Sequence, residues 1–280
     1  MISRRTMIAG LSAMAVPSLA GCAGQQRTPT PRLLATTQPI TSPTDVGLDA
    51  VIDISHTSTV TDFTAIRSQG NILGVLHKAT EGGDWYDPLY AQRRVQAQAA
   101  GLLWGAYHFG THQYSGAQQA AAFLAATQSD PMTLLALDLE PNDRKPGNTM
   151  TLDQAEEFVQ TIYQATGRLP LIYTHPTWAN GGVYGRARIS LGRPITTNSI
   201  LASCDLWLVD YRLQPEMPMA WANRGWRLWQ YAGDDYAGGG GPFGPMSRAV
   251  VGVDRCDRNL FQGNMTALYQ FWNGVIGPAA

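Results

Sequence analysis

Leu137-Asp138-Leu139-Glu140 sets two carboxylates two residues apart in an apolar run. In a strand, residues i and i+2 point to the same side, so Asp138 and Glu140 share a face, roughly 6–7 Å apart along the chain. Two carboxylates so close in a low-dielectric site repel, and one is expected to keep its proton while the other stays charged. A proton donor beside a charged stabiliser is the division of labour that glycoside cleavage needs. Asp53, in Val51-Ile52-Asp53-Ile54-Ser55, adds a third acid if its strand lies nearby. Two other uses stay open. The pair can end a strand and cap the loop opening at Pro141-Asn142, or the three acids can hold magnesium, although no glycine-rich phosphate loop accompanies them.

The elements that must position these acids follow a rhythm. Apolar strands are predicted at Ala50–Ser55, Ile72–Ala79, Leu102–Phe109, Thr133–Glu140 and Leu169–Thr174. Helical patterns lie between them at Pro88–Ala100, Ser115–Thr127 and Thr151–Ala165. Ser115 is a capping residue, Thr151 and Gln154 have capping-box spacing, and Gly167 is a stop signal. Ala155, Phe158, Val159, Ile162 and Tyr163 form the expected buried stripe. After residue 175 the helices fade, and strands remain at Asp205–Tyr211, Trp226–Tyr231 and around Val250–Phe261. Alternating strand and helix implies a parallel sheet. The fold expected is α/β, an irregular (β/α) barrel of about five βα units plus three further strands. The long irregular stretches 176–199 and 233–248 read as functional rims.

Polar residues gather at the strand C-terminal ends, the end where such barrels carry their chemistry. They are Asp53 and Ser55, then His77, Lys78 and Glu81, then Tyr107 and His108, then Asp138 and Glu140, then Tyr173, Asp210 and Gln230. Aromatic faces stack on sugar rings. Trp85 and Trp178 are the better ligand candidates among the tryptophans because they lie in loops, and most of the others are expected in the core.

The 280 residues carry a net charge of −1 with only 15% charged residues, which excludes a disordered or nucleic-acid-binding composition. No run of about 20 apolar residues reads as a membrane span. The first residues read as an export leader: Ser3-Arg4-Arg5 resembles a twin-arginine signal, and an apolar stretch follows from Met7 to Ala20. Leu19-Ala20-Gly21-Cys22 resembles a bacterial lipobox, with Cys22 as the lipid attachment point. The organisation expected is a leader over 1–21, the anchor Cys22 and a Pro/Thr-rich linker over 22–47, and one barrel domain over 48–280. Once Arg4 and Arg5 leave with the leader, acids exceed bases by three, so membrane attachment would come from lipid and not from charge. Cys204 and Cys256 are a candidate disulfide in an oxidising envelope compartment, with two buried thiols as the alternative.

Taken in order, these segments resemble the glycoside hydrolase family 25 muramidases. The matching pieces are Val51–Ser55, Lys78-Ala79-Thr80-Glu81-Gly82, Gly105-Ala106-Tyr107-His108-Phe109, Gln118–Phe123 and Leu137–Glu140. They continue with Ile172-Tyr173-Thr174, Leu206-Trp207-Leu208 and Trp229-Gln230-Tyr231. The resemblance implies hydrolysis of the β-1,4 bond between N-acetylmuramic acid and N-acetylglucosamine. Glu140 would be the general acid, Asp138 the group that orients the N-acetyl group or stabilises developing charge, and Asp53 a tuning acid. It places Tyr107, Tyr173 and Gln230 in the pocket, with Lys78, Asp210 and Asp257 as further substrate contacts. Asp257 matches an Asp-x-Asn segment near the domain end, where Asp254 and Asp210 compete for the role. Peptidoglycan is the expected partner, with no cofactor, no metal and no nucleic acid, and the protein is expected to be a monomer exported to the cell envelope. A glycan-binding lipoprotein without activity, or a hydrolase of another N-acetylated glycan such as chitin, are the alternatives.

Overall fold

The structure is a computed structural model and describes residues 46–233 and 249–274. The leader, Cys22, nearly all of the linker and the Gly238–Gly241 run lie outside the described residues. Among the described residues, nine strands form one sheet that closes on itself. β1 (Leu48–Ile54), β2 (Gly74–Glu81), β4 (Leu103–Phe109), β5 (Leu134–Asp138), β6 (Leu171–Thr174), β7 (Leu206–Val209) and β8 (Leu228–Ala232) run parallel, each paired to the next. β9 (Asp257–Phe261) closes the ring antiparallel to both β8 and β1. The two-residue β3 (Trp85–Tyr86) folds back on the end of β2. This is the irregular α/β barrel expected from the alternating pattern.

The helices α2 (Tyr90–Ala99), α3 (Gly116–Thr127) and α4 (Leu152–Thr166) fall where the periodicity places them. Both Ser115 and Thr151 sit in closed capping boxes, and Gly167 ends α4 at φ 68°. On α4, Leu152, Ala155, Phe158, Val159 and Ile162 are buried, whereas Tyr163, read as part of the stripe, is exposed. It lies one position past Ile162, so a step of about 100° turns it off the stripe. Between β6 and β7 the described residues hold only the four-residue helices α5 (Pro176–Ala179) and α6 (Ile200–Ser203), in keeping with the fading seen in the sequence. The sequence reading has no counterpart for these two, for α1 (Phe63–Ser68), capped by Asp62, or for α7 (Met265–Trp272), capped by Asn264. α7 packs Trp272 against the lower barrel, where its indole N–H donates to the Trp104 carbonyl at 2.7 Å.

Strand alternation divides the core in two. Val51, Leu76, Ala136, Trp207, Leu228 and Phe261 fill the barrel interior, while Ile52, Val75, Trp104, Leu137, Ile172 and Leu208 pack against the helices. The helical layer is tight where α3 meets α4. A Cβ on Gly116 would stand 2.1 Å from the Gln154 carbonyl oxygen and 2.6 Å from the Phe158 nitrogen, both backbone atoms that cannot swing away. Gly116→Ala is therefore expected to destabilise the protein by about 1–3 kcal/mol through overpacking. Denaturant unfolding would show this, and an unchanged midpoint would mean that the two helices can slide apart at no cost.

Cys204 and Cys256 are not joined; both are buried thiols. Cys204 precedes the lower end of β7, whereas Cys256 precedes β9, whose first residue Asp257 pairs with Asp53 at the upper end of β1. Antiparallel β9 thus puts the two cysteines at opposite ends of the barrel, which leaves the alternative of two buried thiols in place of the candidate disulfide.

Candidate active site

The parity that builds the core also aims the polar side chains. Residues 51 and 53 of β1 point inward, as do 136 and 138 of β5, 171 and 173 of β6, 228 and 230 of β8, and 257 and 259 of β9. A bulge in β2 between Lys78 and Thr80 shifts its phase, so that Lys78 pairs with Tyr107 and Glu81 with Phe109. Lys78 and Glu81, three residues apart, consequently both reach the mouth, where Lys78 Nζ donates to Glu81 Oε2 at 2.7 Å. The upper end opens into a cavity of about 700 Å3 whose lining includes Lys78, Glu81, Tyr107, Asp138, Glu140, Tyr173 and Asp257.

The floor is one hydrogen-bond network. Tyr173 Oη and Tyr211 Oη donate to Gln230 Oε1 at 2.8 and 3.0 Å. Gln230 Nε2 donates to Asp53 at 3.0 Å and to Asp257 at 3.3 Å. Asn259 Nδ2 donates to Asp53 Oδ2 at 2.8 Å, and Trp207 Nε1 donates to Asn259 Oδ1 at 2.6 Å. Two phenol donors fix the amide of Gln230 with its oxygen toward the tyrosines and its N–H groups toward the acids. Asp53 and Gln230 therefore lie beneath the cavity and act on it through their neighbours. Gln230 is a support for the pocket wall and not a wall residue.

The carboxyl of Asp138 is pushed well above the usual range, first by burial and then by the nearby charges of Glu140 and Asp53, with Lys78 opposing. One of its oxygens, Oδ1, is buried without a hydrogen-bond partner among the described residues. Burial and the surrounding carboxylates also push the phenols of Tyr107, Tyr173 and Tyr211 upward, keeping them as neutral donors. The sequence reading makes Glu140 the proton donor and Asp138 the stabiliser, whereas the carboxyl that burial raises is that of Asp138.

Three of the polar strand ends point away. His77 faces α2, where Arg93 donates to its Nε2 at 3.2 Å, and His108 sits between Thr80 and Gln119 and stacks on Phe158 at 4.8 Å. Burial lowers both imidazoles to about 4, so they remain neutral structural groups. Asp210, a candidate substrate contact, is also on the outward parity of β7. Its carboxylate holds the following turn, accepting from Arg212 Nε at 2.9 Å and from the Glu216 backbone N–H at 2.9 Å. The inward residue there is Tyr211. Asp254 accepts from the Thr59 backbone N–H on an exposed loop, and Asp257 takes the place in the mouth. Trp178 is completely buried in α5 and cannot meet a ligand. Trp85 does line the cavity, tilted against His56 with ring centres 5.2 Å apart and with Lys78 Nζ 5.1 Å from its own ring centre. His56 was not foreseen; its Nδ1 lies 3.0 Å from buried Asp87. Among the described residues no group of three or more acids, histidines or cysteines is arranged to hold a metal ion.

The wider comparisons agree with this geometry. The model of the family described as glycosyl hydrolases family 25 matches residues 52–240. Lysozyme M1 of Streptomyces globisporus is 26% identical over 247 residues, covering 83% of this chain and 74% of that protein. The bacterial lysozyme structure from Streptomyces coelicolor superposes with a TM-score of 0.62 at 25% identity, covering 82% of this chain and 99% of that one. A family GH25 lysozyme from Aspergillus fumigatus gives 0.58 at 28% identity, covering 79% and 97%.

Proposed function

The chain belongs to glycosyl hydrolases family 25, and from that membership we propose that it is a muramidase, cutting the β-1,4 bond between N-acetylmuramic acid and N-acetylglucosamine in peptidoglycan. The observation that carries the reading is the convergence of Asp138 and Glu140 on one cavity, above a floor holding Asp53 and Asp257. Glu140, next to the cavity and only partly buried, protonates the departing glycosidic oxygen. Asp138, its carboxyl held above the usual range by burial, orients the substrate's N-acetyl group and keeps its proton. Water adds to the anomeric carbon as the glycosidic bond breaks, and the proton that it gives up restores Glu140. Asp53 holds Gln230 and Asn259, and so fixes the tyrosine wall. Incubation of the full chain with purified peptidoglycan should release soluble fragments together with new reducing ends. Solubilisation without reducing ends would point to an amidase and end the reading.

The reading extends to location. Ser3-Arg4-Arg5, the apolar stretch to Ala20 and Leu19-Ala20-Gly21-Cys22 support export followed by lipid attachment at Cys22. More than one acyl chain is needed for a firm anchor. Cys22→Ser is expected to move the protein from the membrane to the soluble fraction of the envelope. Unaltered membrane association would contradict a lipid anchor at that cysteine.

A further inference from the structure

The upper cavity has one lip whose chemistry the cleavage reaction does not use. Arg144 and Lys145, in the loop after β5, and Arg186, in the segment between α5 and α6, all line the cavity and are exposed. Among the described residues none of these three side chains is in an ion pair or hydrogen bond. Three unpaired cations on one rim contrast with a floor made of Asp53, Asp138, Glu140 and Asp257.

The lip is a built surface. Lys145 N–H donates to Asn142 Oδ1 at 2.9 Å, and Asn142 N–H donates to Thr149 Oγ1 at 2.9 Å, which closes the first loop on itself. Asp143 Oδ1 accepts from Ala187 N–H at 2.8 Å, tying that loop to the second. Tyr184 stacks on His175 at 3.9 Å and anchors the second loop to the end of β6. Gly185, at φ 74°, packs against Pro141 and Asp143 so closely that a Cβ would stand 2.6 Å from Asp143 Oδ1. Asp143 is thereby used as a brace between the loops, and the cations are presented from a fixed frame. The lip also follows Glu140 directly in the chain, so a sugar seated at Glu140 lies beside it.

We propose that Arg144, Lys145 and Arg186 bind the carboxylates of the peptide stems carried by muramyl residues, so that the site favours stem-bearing glycan over bare glycan. The proposal rests on the muramidase reading for the identity of the sugar. Its physical basis is electrostatic. An anionic substrate must approach a floor of acids, and a cationic lip offsets that repulsion while placing the stem outside the cleft. Guanidinium groups pair with carboxylates in charge-assisted hydrogen bonds. Exposed pairs are weak singly, about two- to threefold in affinity each, and three together give about tenfold.

The test reads binding and not cleavage. Full-length protein carrying Glu140→Gln is titrated by calorimetry with soluble glycan fragments that bear stems, and with the same fragments after amidase removal of the stems. The stripped fragments keep one lactyl carboxylate per muramyl residue, and chitin oligosaccharides, which have no carboxylate, form the third arm. Expected is about tenfold tighter binding of stem-bearing fragments, weakening with added salt. That preference should vanish in the R144A/K145A/R186A background and persist in R144K/R186K, with unchanged melting temperatures. Equal affinity for stem-bearing and stripped fragments overturns the proposal. So does a preference that survives neutralisation of the lip, and so does a preference for muramyl over chitin fragments that is indifferent to the stem. Because catalysis is silenced throughout, failure here is separate from failure of the muramidase reading, which is judged by reducing ends released by the unmodified protein.

Discussion

Glu140→Gln is expected to lower turnover on peptidoglycan by roughly 10²–10⁴, the usual weight of a general acid, and to leave the barrel folded. The expectation follows from position. Glu140 lies past the last residue of β5, beside the cavity and out of the sheet's hydrogen bonding, so its replacement by a side chain of equal size removes a transferable proton without disturbing the strand. Its neighbour Leu139 keeps the register, with its N–H donating to the Tyr173 carbonyl at 3.0 Å. Kinetics should show the loss in kcat. Residual activity near that of the unmodified protein would remove Glu140 from the proposed role and leave Asp138 as the better acid.

Asp138→Asn has two expected effects, in opposite directions. Activity should drop by roughly 10²–10³, the range seen when one preorganised electrostatic group is lost. Stability should change in a pH-dependent way. In the folded protein the carboxyl is held well above its usual range by burial and by Glu140, while in the unfolded chain it ionises near ~3.9. Above about pH 4 the native state therefore keeps a proton that the unfolded state has lost, and stability falls as pH rises toward the raised native value. Asparagine cannot ionise and escapes this decline. The difference in melting temperature between variant and parent should thus widen in the variant's favour as pH increases from about 4. A difference that stays constant, or shrinks, would show that Asp138 is already ionised in the native protein.

Much of this site was legible because alternating strands and helices leave few arrangements open. Once seven strand ends are polar, a parallel barrel with its chemistry at the C-terminal end is the economical solution, and Asp53, Lys78, Tyr107, Asp138, Glu140 and Tyr173 do meet there. His77, His108 and Asp210 lie near strand ends, yet each differs by an odd number of positions from an inward neighbour on its strand. Alternation alone would have turned them toward the helices and selected Tyr211 instead of Asp210. Alternation would also have paired Asp257 with Asn259, which holds Asp53.

Other features left no local signal. The bulge in β2 that brings Lys78 and Glu81 together depends on how β2 pairs with β4. The burial of Trp178 depends on the packing of α5, a four-residue helix inside a stretch that reads as loop. The separation of Cys204 and Cys256 depends on β9 running against its neighbours, a property of barrel closure that spacing in the chain cannot express. The lip of Arg144, Lys145 and Arg186 needs two loops tied together across 44 positions, from Asp143 to Ala187.

The most direct test of the proposed activity is the identity of the sugar at each new chain end. Peptidoglycan digested by the protein is reduced with borohydride, hydrolysed and analysed for sugar alcohols. The account predicts muramitol, absent from the Glu140→Gln digest. Glucosaminitol, or no new reduced sugar, would contradict it.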